Sequence, residues 1–146
     1  MRVPPWLLGL HLLGLVVYAG GVLALTRLLG HAVRFESEAA RAASYRIFRR
    51  MHFLVDWIGL ALLLGTGLTM LLWDPAGKAY LKQPYFHVKL TCIALLLACD
   101  FGLLTRGLLR LDPAGPQPSA ARYKALHGFA ALCVVGALAA VTVLKG

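Results

Sequence analysis

The stretch YFHVKLTCIALLLACDFGLL, residues 85–104, decides the fold of this chain. It is almost uninterrupted apolar sequence, and it has about the 20 residues that an α-helix needs to cross the hydrocarbon core of a membrane. Inside lipid every backbone N–H and C=O must find an internal partner, so an apolar run of this length should be helical. The stretch therefore predicts a transmembrane helix that begins directly after Pro84.

Three further apolar runs have a similar length. They cover residues 6–29, 53–73 and 126–144, in a chain of 146 residues that is 60% hydrophobic. Short connections make neighbouring helices antiparallel. The sequence thus predicts an all-α fold, an integral membrane four-helix bundle with up-down topology, in one transmembrane domain over residues 1–146. The alternative of a signal peptide in the first run is disfavoured, because the run continues past Ala19 to Leu29.

The net charge of +9 is distributed unevenly along the chain. Ten of the fifteen Lys and Arg residues lie in or beside the first and third connections. The positive-inside rule then places these connections in the cytoplasm and both termini on the outer side. The basic charge accordingly indicates topology and contact with lipid headgroups, and no nucleic-acid partner is expected.

The connections differ in character. Residues 31–50 carry Glu36 and Glu38 early and arginines late, as the helix dipole favours, which predicts a cytoplasmic helix running into the second span. Residues 111–124 contain three prolines and a glycine and predict a break, after which Ser119 can cap the last helix. Pro84 suits the first turn of the third span.

Ionisable side chains inside the spans are the functional candidates, because they are costly in a bilayer. These are His11, His52, Asp56, His87, Lys89, Asp100 and His127. Three cysteines also fall in the spans, without C-x-x-C spacing, and we interpret them as small apolar fillers.

His87 and Lys89 lie about 200° apart around a helix, so they cannot share a face. His87 shares its stripe with small residues such as Ala94 and Ala98, and small residues let another helix or a flat cofactor approach. Lys89 shares its stripe with Asp100. We expect His87 to point inward and Lys89 to reach for the headgroups.

His11 lies on a similar stripe of small residues with Gly14 and Gly21. The first and third spans run parallel, so His11 and His87 are expected near the outer end of the bundle. Two imidazoles at one depth can bind haem iron or copper. The alternative is that each bonds a hydroxyl or a carbonyl on a neighbouring helix.

A second polar group is expected near the cytoplasmic end. It comprises His52 and Asp56 of the second span, Asp100 of the third and His127 of the fourth. Such a group can bind a second cofactor, relay protons or form an ion-paired structural network, and the sequence leaves the three readings open.

Two stretches resemble a known family. HLLGLVVYAGGVLALTRLL, residues 11–29, is similar to the first helix of the HemJ-type protoporphyrinogen IX oxidases, with His11, Tyr18 and Arg27 at the matching positions. FHVKLTCIALLL, residues 86–97, is similar to the helix of that family that begins with H-x-K-L. The resemblance is specific in these two spans.

The resemblance implies a multi-pass protein of the bacterial cytoplasmic (inner) membrane that acts in haem biosynthesis. The implied reaction is the six-electron oxidation of protoporphyrinogen IX to protoporphyrin IX. Haem b is the implied cofactor, with quinone or the respiratory chain as electron acceptor. The implied catalytic residues are His11, His87, Lys89 and Arg27, the last holding a propionate of the tetrapyrrole.

Within this interpretation His11 and His87 are the expected ligands of the haem iron. Tyr18, His52 and His127 are further candidates for contact with a cofactor. Glycine-rich faces favour self-association, so a homodimer is also expected.

Two alternatives remain open. The CopD-like copper transport and resistance proteins share the bundle style and the intramembrane histidines, and His52 and His127 suit that family equally well. A small membrane assembly subunit without a cofactor is the other alternative. A hydrolase is disfavoured, since no serine or cysteine lies beside a base in a nucleophile motif.

Overall fold

The computed structural model describes residues 3–73, 79, 81–105, 107–108, 116 and 118–142, with only the backbone of residue 141. Within these ranges the chain forms helices and no strand. Arg106, most of the second and third connections, and the end of the predicted fourth span lie outside the described residues.

The helices follow the chain in a simple order. They are α1 (Pro5–Ala32), α2 (Glu38–Met51), a π-helical turn π1 (His52–Asp56), α3 (Trp57–Trp73), α4 (Pro84–Cys99), a second π-helical turn π2 (Asp100–Thr105) and α5 (Ala120–Thr142). The segments α2, π1 and α3 form one continuous helix over Glu38–Trp73. The predicted helix in the first connection therefore does run into the second span.

Four of these helical stretches are long and apolar enough to cross a membrane, which confirms the predicted all-α membrane fold. Only 28–33% of each apolar window is buried, so most of its side chains face outward. Val16 and Leu72 are 68% and 75% exposed, whereas several titratable side chains are fully buried. Apolar side chains outside and polar ones inside are typical of a surface solvated by lipid. The orientation of the termini remains a prediction.

The ends of the helices match their local sequence. Pro84 lies in the first turn of α4. Backbone N–H groups in a first turn have no partner within the helix, so the N–H that proline lacks costs no hydrogen bond. The Ser37 hydroxyl accepts a bond from the Ala40 N–H at 3.4 Å and caps α2. Ser119 accepts from the Arg122 N–H at 3.3 Å, which confirms its predicted capping role.

Helix α1 is the centre of the bundle. It packs against α3 and α5, and α4 packs against α5. A Cβ on Gly14 would lie 2.6 Å from the Leu63 backbone nitrogen, and one on Gly59 would lie 2.6 Å from the Tyr18 backbone nitrogen. The backbones of α1 and α3 approach closely because these positions lack side chains. The small residues beside His11 thus serve helix packing.

The rotation of α4 differs from our expectation. His87, Ala94 and Ala98 are exposed, while Lys89 is half-buried and Asp100 is buried. The prediction that His87 points inward and Lys89 outward is therefore wrong. The reason is Asp100, which shares the stripe of Lys89 and finds its hydrogen-bond partner in the bundle interior, so that this stripe turns inward.

Candidate functional site: a buried histidine–aspartate cluster and two anchored histidines

Five polar side chains meet inside the bundle where α1, π1 and π2 converge. Their exposed fractions run from 0% to 8%. The members of this buried cluster are Tyr18, His52, Asp56, Asp100 and Thr105.

Hydrogen bonds join the cluster into two groups, Tyr18 with Asp100 and Asp56 with His52 and Thr105, which meet at a 3.6 Å contact between His52 and Asp100. The Tyr18 hydroxyl donates to Oδ2 of Asp100 at 3.0 Å. His52 lies between the two acidic residues: its Nδ1 is 2.9 Å from Oδ2 of Asp56, and its Nε2 is 3.6 Å from Oδ1 of Asp100. The same Nε2 is 2.8 Å from the Thr105 hydroxyl. A path of polar atoms therefore links Tyr18 to Asp56 across three helical segments.

Both π-helical turns contribute to this cluster. π-Helical turns are rare and occur frequently at functional sites. In an α-helix, residues five apart such as Asp100 and Thr105 would be separated by about 140° around the axis. The wider turn of π2 brings both towards His52. The sequence analysis missed Thr105 for this reason, since it assumed α-helical spacing throughout.

The cluster has more acidic than basic groups. With His52 neutral and both carboxyls ionised it carries two negative charges, so two added protons make it neutral. Uncompensated charge is costly inside a bilayer. Among the described residues Oδ1 of Asp100 is buried without a hydrogen-bond partner. The cluster is therefore chemically suited to take up, hold and release protons.

Aromatic rings lie beside the cluster on its outer side. Phe53 and Trp57 are 5.8 Å apart between ring centroids, and Trp57 meets Phe101 at 5.7 Å in an edge-to-face arrangement. The three rings are 37–43% exposed, so they face the surroundings while His52 beneath them is fully buried.

His11 is held separately, at the interface of α1 and α3. Its Nδ1 lies 3.1 Å from the Leu63 carbonyl oxygen and 3.1 Å from the Thr66 hydroxyl. A carbonyl only accepts, so Nδ1 carries the proton and the neutral ring keeps its lone pair on Nε2. Within the described part of the chain nothing bonds to Nε2. An imidazole anchored in this way by its other nitrogen is the usual state of a metal-ligating histidine.

His127 repeats this arrangement at the other end of α1. Its Nδ1 lies 3.1 Å from the Leu23 carbonyl oxygen and 3.2 Å from the Thr26 hydroxyl. In both cases the partner helix offers a leucine carbonyl and a threonine three residues later. His127 therefore does not join His52 and the aspartates, although the sequence grouped it with them.

The other candidates are placed as follows. His87 is exposed on α4. Lys89 is half-buried, close enough to His11 to interact with it electrostatically. Arg27 is exposed on α1, about 24 Å along the axis from His11, so one compact group cannot touch both. Tyr18 points into the buried cluster through its hydroxyl.

No group of three or more His, Cys, Asp or Glu side chains is arranged to hold a metal ion within the described ranges. The cysteines are free thiols; Cys99 and Cys133 are buried, and Cys133 packs in the apolar core. The described residues thus offer a metal two separately anchored imidazoles, those of His11 and His127, and no group of several protein ligands.

A curated protein resembles this chain. Protoporphyrinogen IX oxidase from Synechocystis sp. is 26% identical over 128 residues. The alignment takes in 84% of this chain and 59% of the cyanobacterial protein. The chain therefore spans about three fifths of the length of that relative. No protein-family model and no solved structure matches the chain.

The similarity supports a distant relationship to an oxidase, and membrane helices are consistent with it.

Proposed function

We propose that this protein is a haem-binding membrane oxidoreductase that oxidises protoporphyrinogen IX to protoporphyrin IX. The observation that carries the proposal is the anchored His11, with Nε2 unbonded among the described residues, in a chain that aligns over 84% of its length with a protoporphyrinogen IX oxidase.

His11 is the residue that would hold the haem iron, through its Nε2. The Leu63 carbonyl and the Thr66 hydroxyl fix its tautomer and ring plane from the rigid helix α3. Gly67 leaves room for the ring, since a Cβ there would lie 3.1 Å from Cε1 of His11. Haem b, when bound, supplies one-electron transfer between the substrate and an acceptor such as quinone.

The buried cluster is suited to accept the protons that the same reaction releases. Oxidation of the porphyrinogen to the porphyrin removes six electrons and six protons. His52 and the two aspartates form a unit that accepts protons at the unpaired Oδ1 of Asp100, which lies 3.6 Å from Nε2 of His52, and His52 is hydrogen-bonded in turn to Asp56. Lys89, half-buried near His11, is placed to attract an anionic substrate group.

The first experiment is complementation of a bacterial strain that lacks its own protoporphyrinogen oxidase. We expect the wild-type chain to restore growth and lower porphyrinogen accumulation. In parallel, the protein purified in mild detergent from haem-replete cells is examined by absorption spectroscopy before and after dithionite. A Soret band with sharp reduced α and β bands is expected.

The matched pair His11→Ala and His31→Ala tests the ligand. Both histidines lie on α1, but His31 is exposed near its other end, so only His11→Ala should abolish the bands and the complementation. A well-expressed wild-type protein with a flat spectrum and no complementation would overturn the proposal. Bands that survive in His11→Ala would overturn the assigned ligand.

A further inference from the structure

A cleft of about 250 Å³ lies between the end of α1 and the beginning of α5. Its lining is strongly basic and contains no acidic side chain among the described residues. The lining residues are Thr26, Arg27, Gly30, His31, Arg34, Ala120, Tyr123, Lys124 and His127.

The cations of this cleft are unpaired. Arg27, Arg34 and Lys124 are exposed, and none of them forms an ion pair or a hydrogen bond with another described residue. Arg27 lies in the last turns of α1, Arg34 lies in the turn that follows this helix, and both line the cleft together with Lys124 of α5. Three like charges around one concave site, with no carboxylate to neutralise them, favour an anionic ligand.

The helix geometry adds to this field. Ala120 is the first residue of α5, a helix of 23 residues, so the positive end of its dipole reaches the cleft. The Ser119 cap satisfies only one of the four free N–H groups at this end. The last turn of α1 also borders the cleft and contributes the negative end of that helix dipole, against which stand the full charges of Arg27, Arg34 and Lys124.

His127 gives the cleft a chemical asymmetry. Its Nδ1–H is committed to the Leu23 carbonyl, so the neutral ring presents Nε2 as an acceptor. The cleft therefore combines basic side chains that can bind an anion with a ring nitrogen that can accept a hydrogen bond from a hydroxyl group. A ligand that carries both a phosphate and a hydroxyl satisfies both sides.

We propose that this cleft binds the headgroup of an anionic glycerophospholipid of the phosphatidylglycerol type. The phosphate lies among Arg27, Arg34 and Lys124, and a headgroup hydroxyl donates to Nε2 of His127. The acyl chains leave along the apolar outer surface of α1 and α5. The cleft lies at the end of two membrane-crossing helices, where phosphates of one leaflet are found, and basic clefts of this kind bind anionic headgroups.

The size of the cleft argues against a whole macrocycle. Sites that enclose a drug-sized ligand have volumes of about 300–1,000 Å³, and this cleft is smaller. The resemblance assigns Arg27 to a propionate of a tetrapyrrole, whereas the cleft that Arg27 lines is sized for a headgroup.

Native mass spectrometry of the full chain in detergent tests the proposal. Phosphatidylglycerol, phosphatidic acid and phosphatidylcholine are added separately, and the retained lipid is counted. We expect phosphatidylglycerol to be retained at least fivefold more than phosphatidylcholine. Phosphatidic acid, which lacks the headgroup hydroxyl, should be retained less than phosphatidylglycerol.

The variant Arg27→Gln/Arg34→Gln/Lys124→Gln should lose at least fivefold in retained phosphatidylglycerol. Its matched control is Arg46→Gln/Arg49→Gln/Arg50→Gln, which removes the same charge from exposed positions of α2 and should change retention less than twofold. All six side chains are exposed, so folding is checked by elution as a single species, and Arg34→Gln alone provides a milder variant.

Three results would overturn the proposal. The first is equal retention of phosphatidylcholine, and the second is an equal loss in the α2 control, which would show a response to bulk charge. The third is displacement of bound lipid by millimolar inorganic phosphate or by a porphyrin dicarboxylate, which would assign the site to a free anion or to the substrate. The outcome does not depend on oxidase activity.

Discussion

The α-carbon of Gly21 on α1 lies directly against the carboxylate of Asp56 on π1, so that a methyl group at position 21 would overlap Oδ1. Asp56 in turn is bonded to the fully buried His52. The absence of a side chain at Gly21 is thus a condition for the buried cluster to form between these helices.

Gly21→Ala is therefore expected to destabilise the protein by about 1–3 kcal/mol, because an added methyl in a packed site forces its neighbours to move. The adjacent Gly20 is the matched control, since a Cβ there meets nothing within 4 Å. Gly20→Ala should be neutral or stabilising by up to about 1 kcal/mol, as alanine favours the helix. Thermal unfolding in detergent measures both. Equal effects at the two positions would show that the cluster does not fill the space beside Gly21.

The hydrogen bond between Tyr18 and Asp100 should couple α1 to π2. Tyr18→Phe removes the donor to Oδ2 and leaves the buried carboxyl short of partners, which should cost about 1–3 kcal/mol. In a double-mutant cycle with Asp100→Ala, which removes the acceptor, unfolding in a denaturing detergent should give a coupling free energy of about 0.5–3 kcal/mol. Tyr85→Phe, at a partly exposed position of α4, serves as the control. Additive effects of the two changes would argue against the bond.

His52 should be the least replaceable histidine for stability. His52→Ala leaves a cavity and two neighbouring carboxyls without their basic partner, and breaking such a buried pair costs about 3–5 kcal/mol. His87→Ala, at an exposed position, should change stability by less than about 0.5 kcal/mol. Measuring the free energies of unfolding of the two variants tests this prediction. A large loss at His87 with a small one at His52 would contradict the described rotation of α4.

The charge distribution predicts that the connection between α1 and α2 is cytoplasmic. In a background with the three cysteines replaced by alanine, Gln83→Cys should react with a membrane-impermeant maleimide added to intact spheroplasts. Ser37→Cys should react only after the membrane is opened. Both positions are exposed and lie just outside the helices that they precede. Labelling in the opposite order would reverse the topology that the positive-inside rule predicts.

The sequence predicted the membrane helices well because length and apolar composition alone decide whether a segment can cross lipid. Local signals also held: Pro84 lies in the first turn of α4, Ser119 caps α5, and the helix after Ser37 continues into the second span. The meeting of His52, Asp56 and Asp100 was among the arrangements that the sequence left open, and the structure shows it.

The sequence alone did not predict the surroundings of side chains whose neighbours are set by a contact between distant parts of the chain. Ideal α-helical spacing could not place Thr105 beside Asp100, because a π-turn does so. It also could not reveal that His127 bonds the Leu23 carbonyl, since nothing along the chain specifies which helix lies beside it.

The sequence by itself determined that this chain is a bundle of four membrane-crossing helices with titratable groups inside it, because the bilayer imposes helix length and backbone pairing on any apolar segment. Only the tertiary structure decided which groups meet. Buried polar atoms must find partners, so the bond from Tyr18 to Asp100 and the close approach at Gly14, Gly21 and Gly59 set the rotation of each helix. That rotation turned Lys89 inward and His87 outward, and it left His11 and His127 as two separately anchored imidazoles.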